Sequence, residues 1–308
     1  MGAEGWNWKT LQPYFQSLES YPEGDPEVRG HDGPIKIDVP TTNCRLVCDW
    51  ITSMSKNGFN VKGDYNDGDN YGAFHTQQNV RGQIRHDAFS SFIEPILDTH
   101  PNLTVVSCAT TYKVIFKDKV AKAVQFFADG KLHVINVKNE IVLSAGATGS
   151  PQILMHSGIG DADNLKKYGV EVIVDNPSVG SNFIDHISTS LGFRLHNEAP
   201  CSLLGSGLAG TAFGDSTWAK KNQKLGCPDM QYCFTAGPIF QSAFNSVLTR
   251  NIVPFYPRDT MLGKLYRSFV NYFEGIGCPG GSLHAAANKI LTIGVVLNHP
   301  SGIGNMRL

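Results

Sequence analysis

The 308-residue sequence has no run of about 18 or more apolar residues, so no segment is long enough to cross a bilayer as a helix. Its opening residues, Met1-Gly2-Ala3-Glu4-Gly5-Trp6, offer neither a basic nor an apolar stretch. No targeting segment is read there, and the compartment stays open. An excess of one charge is also absent. The 26 basic residues nearly cancel the 27 acidic ones, which recommends neither nucleic acid nor an anionic membrane as partner. A small neutral ligand is the easier expectation. The seven cysteines form no zinc pattern: Cys44 and Cys48 stand one helical turn apart without a second Cys or His pair. They read as free core thiols. There is no Gly-x-Ser-x-Gly elbow, Walker loop, metal-ligand constellation or internal repeat, so hydrolase, nucleotide triphosphatase and metal-catalysed readings lack their residues.

What is present is the balance of a globular protein, 41% hydrophobic against 17% charged, in a length that allows one large core or two ordinary domains. Residues 8–21 carry apolar side chains at helical spacing with Pro13 near the start. Residues 34–39 alternate like a half-buried strand, and 43–57 read as a helix with Asn43 as cap and Gly58 as stop. The Asp-, Asn- and Gly-rich stretch 63–82 reads as a long loop, and 87–97 as a helix. Four β-like runs follow, 103–107, 112–116, 123–128 and 132–137, with Asp129-Gly130 as a hairpin turn between the last two. Later, 229–234 and 289–297 read as strands and 261–272 as a helix.

The run 140–146 is continuously apolar, as expected of a strand buried on both faces, and ends in the small residues Ser144, Ala145, Gly146 and Ala147. Ser150 then stands where a helix cap belongs and Pro151 at a first helical position. Free N–H groups there suit a pyrophosphate or a cofactor's edge; tight packing of strand against helix is the plainer alternative.

Gly146-Ala-Thr-Gly-Ser-Pro-Gln-Ile-Leu-Met-His-Ser-Gly-Ile-Gly160 resembles, position by position, the second signature of the glucose-methanol-choline (GMC) flavin oxidoreductases. Gly5-Trp-Asn-Trp8, Gly33-Pro34, Pro101-Asn-Leu103, Val179-Gly-Ser-Asn-Phe-Ile-Asp-His186, Pro228-Asp-Met-Gln231 and His299-Pro-Ser-Gly302 agree with that family in order and spacing. The resemblance implies α/β plus α+β architecture. A Rossmann-like FAD-binding domain with a β-meander would occupy 1–186, interleaved with substrate-domain segments at about 33–82. A substrate domain of antiparallel sheet flanked by helices would occupy 187–308. It further implies FAD as cofactor, a small alcohol or polyol as substrate, and hydride transfer to flavin while a histidine takes the hydroxyl proton. The electron acceptor, whether oxygen, quinone or another, stays open.

Carried over by position, Thr111 matches the site whose backbone meets the adenine end of FAD, and Ser144, Ala145 and Gly146 the strand end beside the adenosine. Asn182, Asp185 and His186 match an Asn-x-x-Asp-His segment near the cofactor. His186 equally suits a hydrogen-bonded structural role. A full family member opens with a strand leading into Gly-x-Gly-x-x-Gly and carries its proton-accepting histidine beyond the His-Pro-Ser-Gly element. Neither is found here, so the expectation is an internal piece, inactive alone, that holds no catalytic residue. A shortened non-catalytic binding or accessory paralogue is the alternative. The one glycine fingerprint, Gly205-Ser-Gly-Leu-Ala-Gly210, follows no apolar strand and is discounted.

Overall fold

The computed structural model describes residues 4–40, 44–82, 84–196, 208–222, 226–236 and 290–308. Along the chain the main elements are α1 (Trp8–Leu18), α2 (Arg45–Lys56), β1 (Gly72–His75), β2 (Thr110–Lys117), β3 (Val120–Ala128), β4 (Lys131–Asn136) and α3 (Gly146–His156). Then come α4 (Ala162–Lys167), β5 (Ile187–Arg194), β6 (Gly210–Gly214), α5 (Thr217–Asn222), β7 (Met230–Ala236) and β8 (Ile290–Leu297). They group into two compact units, one of residues 1–98 and 186–299, the other of 99–185 and 300–308. The expected helix 261–272 lies outside the described residues.

The first unit is built on an antiparallel five-stranded sheet in the order β5-β8-β7-β6-β1. Leu46, Val47, Trp50, Ile51 and Met54 recur at helical spacing along α2 and pack on the sheet with Ala73, Ala212 and Phe234. Trp50 stacks on Phe234 at 5.4 Å between centroids. Gly210 permits this, because a Cβ there would stand 2.8 Å from the Trp50 ring. The last glycine of the discounted fingerprint thus opens a strand rather than a phosphate-binding helix.

Several sequence expectations need correction in this unit. The stretch 63–82 is not all loop, since β1 lies within it and pairs with β6 from Gly72↔Phe213 to Gly210↔His75. Gly-Ala-Phe-His carries no alternation, so only long-range pairing reveals it as a strand. The helix expected over 87–97 is a π-helical turn, Phe89–Ile93, followed by a 3-10 turn, Glu94–Ile96; Pro95 has no N–H to continue an α-helical ladder. Asn43 lies outside the described residues, and Cys44 takes the N-cap position of α2 without a side-chain cap. Cys44 is disulfide-bonded, not a free thiol, whereas Cys48, Cys108, Cys227 and Cys233 form no disulfide.

The second unit joins the meander β2-β3-β4 to α3 and α4. The turn Asp129-Gly130 forms as expected, both residues at positive φ of 49° and 74°. The run 103–107 forms no strand, and neither does 140–144, which is unpaired among the described residues and leaves Val142 exposed by 75% with Ile141 and Leu143 half-buried. A strand buried on both faces needs neighbours on both sides, and the described residues supply none. Ser157, buried after α3, accepts from Val114 N–H (2.8 Å) and donates to the Ile153 carbonyl (2.5 Å), tying the helix end to β2. Two glycines of the signature pack closely here. A Cβ on Gly158 (φ +86°) would meet the Glu171 carbonyl at 2.4 Å, and Gly160 packs on Met155 and Leu165.

Candidate functional site

The second unit holds a cavity of about 390 Å³ between the start of α3 and the segment 178–184. Helix α3 contributes Ala147, Ser150, Pro151 and Leu154, and the loop contributes the backbone and side chains from Ser178 to Ile184. Met306 closes one side. The loop is held by the tail of the unit: Phe183 and Gly304 exchange two backbone bonds of 2.9 and 2.8 Å, and Met306 N–H donates to the Gly180 carbonyl at 2.6 Å. Gly180 has φ +80° and leaves no room for a Cβ, which would lie 2.3 Å from the Met306 carbonyl oxygen. Asn182 sits in the left-handed region at φ +58°, where Asn is tolerated better than most residues.

Helix α3 begins earlier than its capping pattern suggests. Ala145 is its N-cap and supplies no side-chain bond, and Gly146 follows at φ +82° with nothing within 4 Å of where a Cβ would stand. Ser150 is inside the helix, where its Oγ accepts from Ala145 N–H at 3.0 Å, and Pro151 is also internal rather than first. Among the described residues no side chain caps the first turn, so its N–H groups and the positive end of the helix dipole are available to a ligand.

Of the residues carried over from the resemblance, Asn182 lines this cavity, while Ser144, Ala145 and Gly146 lead directly into Ala147 on its wall and are exposed. Thr111 lies on β2 beside an irregularity in its pairing with β3 and is not on the cavity wall. Asp185 and His186 are exposed and likewise not on that wall, and His186 opens the other unit. Ala147 was noted only as one of four small residues at the strand end, and Ser178 and Met306 were not singled out. Ser150 was read only as a cap, and nothing in the pattern around Met306 marks it as a wall.

The lining has no charged side chain. Serine hydroxyls, an amide and an uncapped helix end above apolar contacts suit a hydroxyl-rich or phosphate-bearing group, and the open space at Gly146 leaves room for close approach. These residues therefore fit part of the flavin dinucleotide that the resemblance implies. The volume is at the small end of ligand sites, so it suits one portion of such a molecule.

The first unit has a second cavity, about 340 Å³, lined by Tyr21, Glu23, Asp38, Lys62 and His75 among others. Burial lowers the pKa of His75, and its Nδ1 has no hydrogen-bond partner among the described residues. Lys62 is already committed to Asp67 and Asp69, at 3.3 and 3.1 Å. Beside this cavity, the buried Arg29 pairs with Glu19 and Asp64 at 2.7 and 2.6 Å, a structural ion cluster rather than a reacting one.

Residues 1–188 match the family model described as GMC oxidoreductase. The chain is 30% identical over 251 residues to an oxygen-dependent choline dehydrogenase of Rhizobium rhizogenes, covering 76% of this chain and 45% of that one. It is 32% identical over 186 residues to the mitochondrial choline dehydrogenase of Homo sapiens, covering 60% and 31%. Its fold matches the crystal structure of pyridoxine 4-oxidase from Mesorbium loti with a TM-score of 0.76 at 22% identity, over 100% of this chain and 52% of that one. A formate oxidase of Aspergillus oryzae, studied for FAD modification, matches with a TM-score of 0.71 at 20% identity, over 100% and 56%. At such identities the structural matches speak for the fold alone. The chain thus spans less than half the length of these curated relatives, 45% and 31%, and with more than half of its own residues matched by the family model it belongs to the GMC oxidoreductases.

Proposed function

We propose that this chain forms one wall of the FAD site of an oxidoreductase that oxidises a small alcohol or polyol at its CH–OH carbon. The observation that carries the reading is the neutral cavity at the uncapped start of α3, with Asn182 opposite Ala147 and Ser150. FAD binding is characteristic of the family, and when bound it would supply the acceptor for the hydride of the alcohol carbon.

The chain's own residues serve the cofactor rather than the substrate. Ser144, Ala145 and Gly146 keep side-chain bulk away from the ligand's path, and the first-turn N–H groups of α3 donate to its oxygens. The Asn182 amide offers both a donor and an acceptor to the cavity. Thr111 would contribute through its backbone, and Asp185 and His186 through hydrogen bonds near the cofactor. No proton-taking role is given to any of these groups.

Titrating the chain with FAD and following quenching of flavin fluorescence tests this reading. Ala147→Leu fills the cavity without touching a left-handed residue, and Asn182→Gly removes the amide while relieving its backbone. Each should weaken FAD binding about tenfold, the effect of losing roughly 1.4 kcal/mol. Unchanged affinity in both variants would remove the cavity from the account.

A further inference from the structure

Two sequence runs that the flavin cavity does not use, Pro228-Asp-Met-Gln231 and His299-Pro-Ser-Gly302, bring chemistry together at one end of the five-stranded sheet. The register sets Met230 opposite Leu297, and Asn298 N–H donates to the Asp229 carbonyl at 2.8 Å. The residues just before β7 and just after β8 are therefore held side by side. There the Sγ of Cys227 lies 3.5 Å from Nε2 of His299. The thiol is half-buried and free, and the imidazole is exposed.

Asp229 is the third member of the group. It is buried, and its carboxylate accepts from Ser216 N–H and Oγ, both at 2.6 Å. Burial alone would push this carboxyl up. The Ser216 bonds and the neighbouring His299 outweigh it and hold the group below the usual carboxylate range. Its negative charge balances the positive charge His299 acquires on taking a proton. Tyr71 and Asp215 complete the surroundings, the phenol donating to Asp215 at 2.9 Å. That phenol is pushed up to about 12 by burial and by Asp215.

We propose that Cys227 is a modification site at which His299 takes the thiol proton, and that its preferred co-reactants are cationic low-molecular-weight disulfides. In the tautomer with Nε2 unprotonated the thiol donates to it, the geometry of a nucleophile next to its base. The Cys227 sulfur attacks one sulfur of the disulfide as its proton passes to His299. A new S–S bond forms and the reagent's own S–S bond breaks. The departing thiolate keeps the bonding electron pair and recovers the proton from the imidazolium. Cys227 is oxidised to a mixed disulfide and one half of the reagent is reduced to a thiol. The carboxylates of Asp215 and Asp229, which together with Cys227 raise the Tyr71 phenol, set the charge preference, attracting a cationic reagent and repelling an anionic one.

Per-cysteine labelling of the full chain, read by mass spectrometry, tests the proposal with two internal references, the exposed Cys108 and the buried Cys233. With iodoacetamide, Cys227 should label about tenfold or more faster than Cys108, a modest share of what positioned proton transfer supplies. His299→Gln should remove that advantage and added imidazole should restore it. A Cys227 no faster than Cys108, or one indifferent to His299→Gln, overturns the proposal. If His299→Gln opens the sheet, Cys233 labels too and the wild-type chain decides. There the rate with cystamine divided by the rate with dithiobis-nitrobenzoate should be larger at Cys227 than at Cys108, which cancels the intrinsic difference between the two reagents, and an equal or smaller quotient at Cys227 overturns it.

Discussion

At the scale of single residues, Arg29 shows how a buried charge is kept. Its guanidinium bonds Glu19 at 2.7 and 3.0 Å, Asp64 at 2.6 and 2.7 Å and Gln77 at 3.0 Å, and lies 4.6 Å from the centre of the Tyr21 ring. Arg29→Ala would leave two carboxylates without their cation. Breaking a buried pair from one side costs about 3–5 kcal/mol, and urea unfolding should show that loss; a change below about 1 kcal/mol would contradict the cluster's role. The same cluster sets a pH dependence. Burial alone would raise the Asp64 carboxyl, but the bonds from Asn66 N–H, Gln77 and Arg29 win and lower it. A folded-state value below the unfolded one means that Asp64 contributes stability above the usual carboxylate range. That contribution is lost as pH falls through the folded value. Asp229 acts in the same direction. Unfolding midpoints should therefore drop as pH falls below the ordinary aspartate value of about 4, and a flat profile there would count against both sites.

Turns and helix ends decide which elements could be read in advance. Asp129-Gly130 was legible because Gly supplies the left-handed backbone a two-residue hairpin needs. The β2–β3 turn was not, because Asp118 and Lys119 adopt φ of 52° and 61° without a glycine to advertise it. Lys119→Gly should relieve this strain, about 1 kcal/mol by the cost of left-handed backbone for a side-chain-bearing residue, and raise the melting temperature. An unchanged or lower value would mean that the turn is not strained. The start of α3 was misread for a related reason. Ser150 and Pro151 carry the marks of a cap, yet Gly146 at φ +82° lets the helix start four residues before Ser150. Helix α2 was legible because its apolar stripe is local, whereas β1 was not, because its partner β6 lies far along the chain.

Across the whole molecule, family and fold class were legible and the packing of one stretch was not. The signature residues keep their place in the fold: Gly158, Gly160 and Gly180 stand where backbone or side chains leave little space for a Cβ. By contrast the apolar run 140–144 was expected inside a sheet, yet it pairs with no described strand and leaves Val142 exposed, with Ile141 and Leu143 only half-buried. In the same unit Leu132, Val134 and Ile135 are also more than half exposed. Periodicity reports what a segment is suited to pack against, and says nothing of whether the neighbours are there. Val142→Lys should therefore change stability by no more than about 0.5 kcal/mol, and a loss of several kcal/mol would place Val142 in a core. An apolar dye should fluoresce with the folded chain, as exposed apolar patches predict, and dimly with the Val142→Lys variant.

The central claim is that the start of α3 and the loop 178–184 together hold part of FAD. Amide hydrogen exchange on the full chain with and without FAD reads this directly. Protection should appear at 144–150 and 178–184 and leave the five-stranded sheet at 72–75 and 230–236 unchanged. Protection absent from both segments, or confined to the sheet, would contradict it.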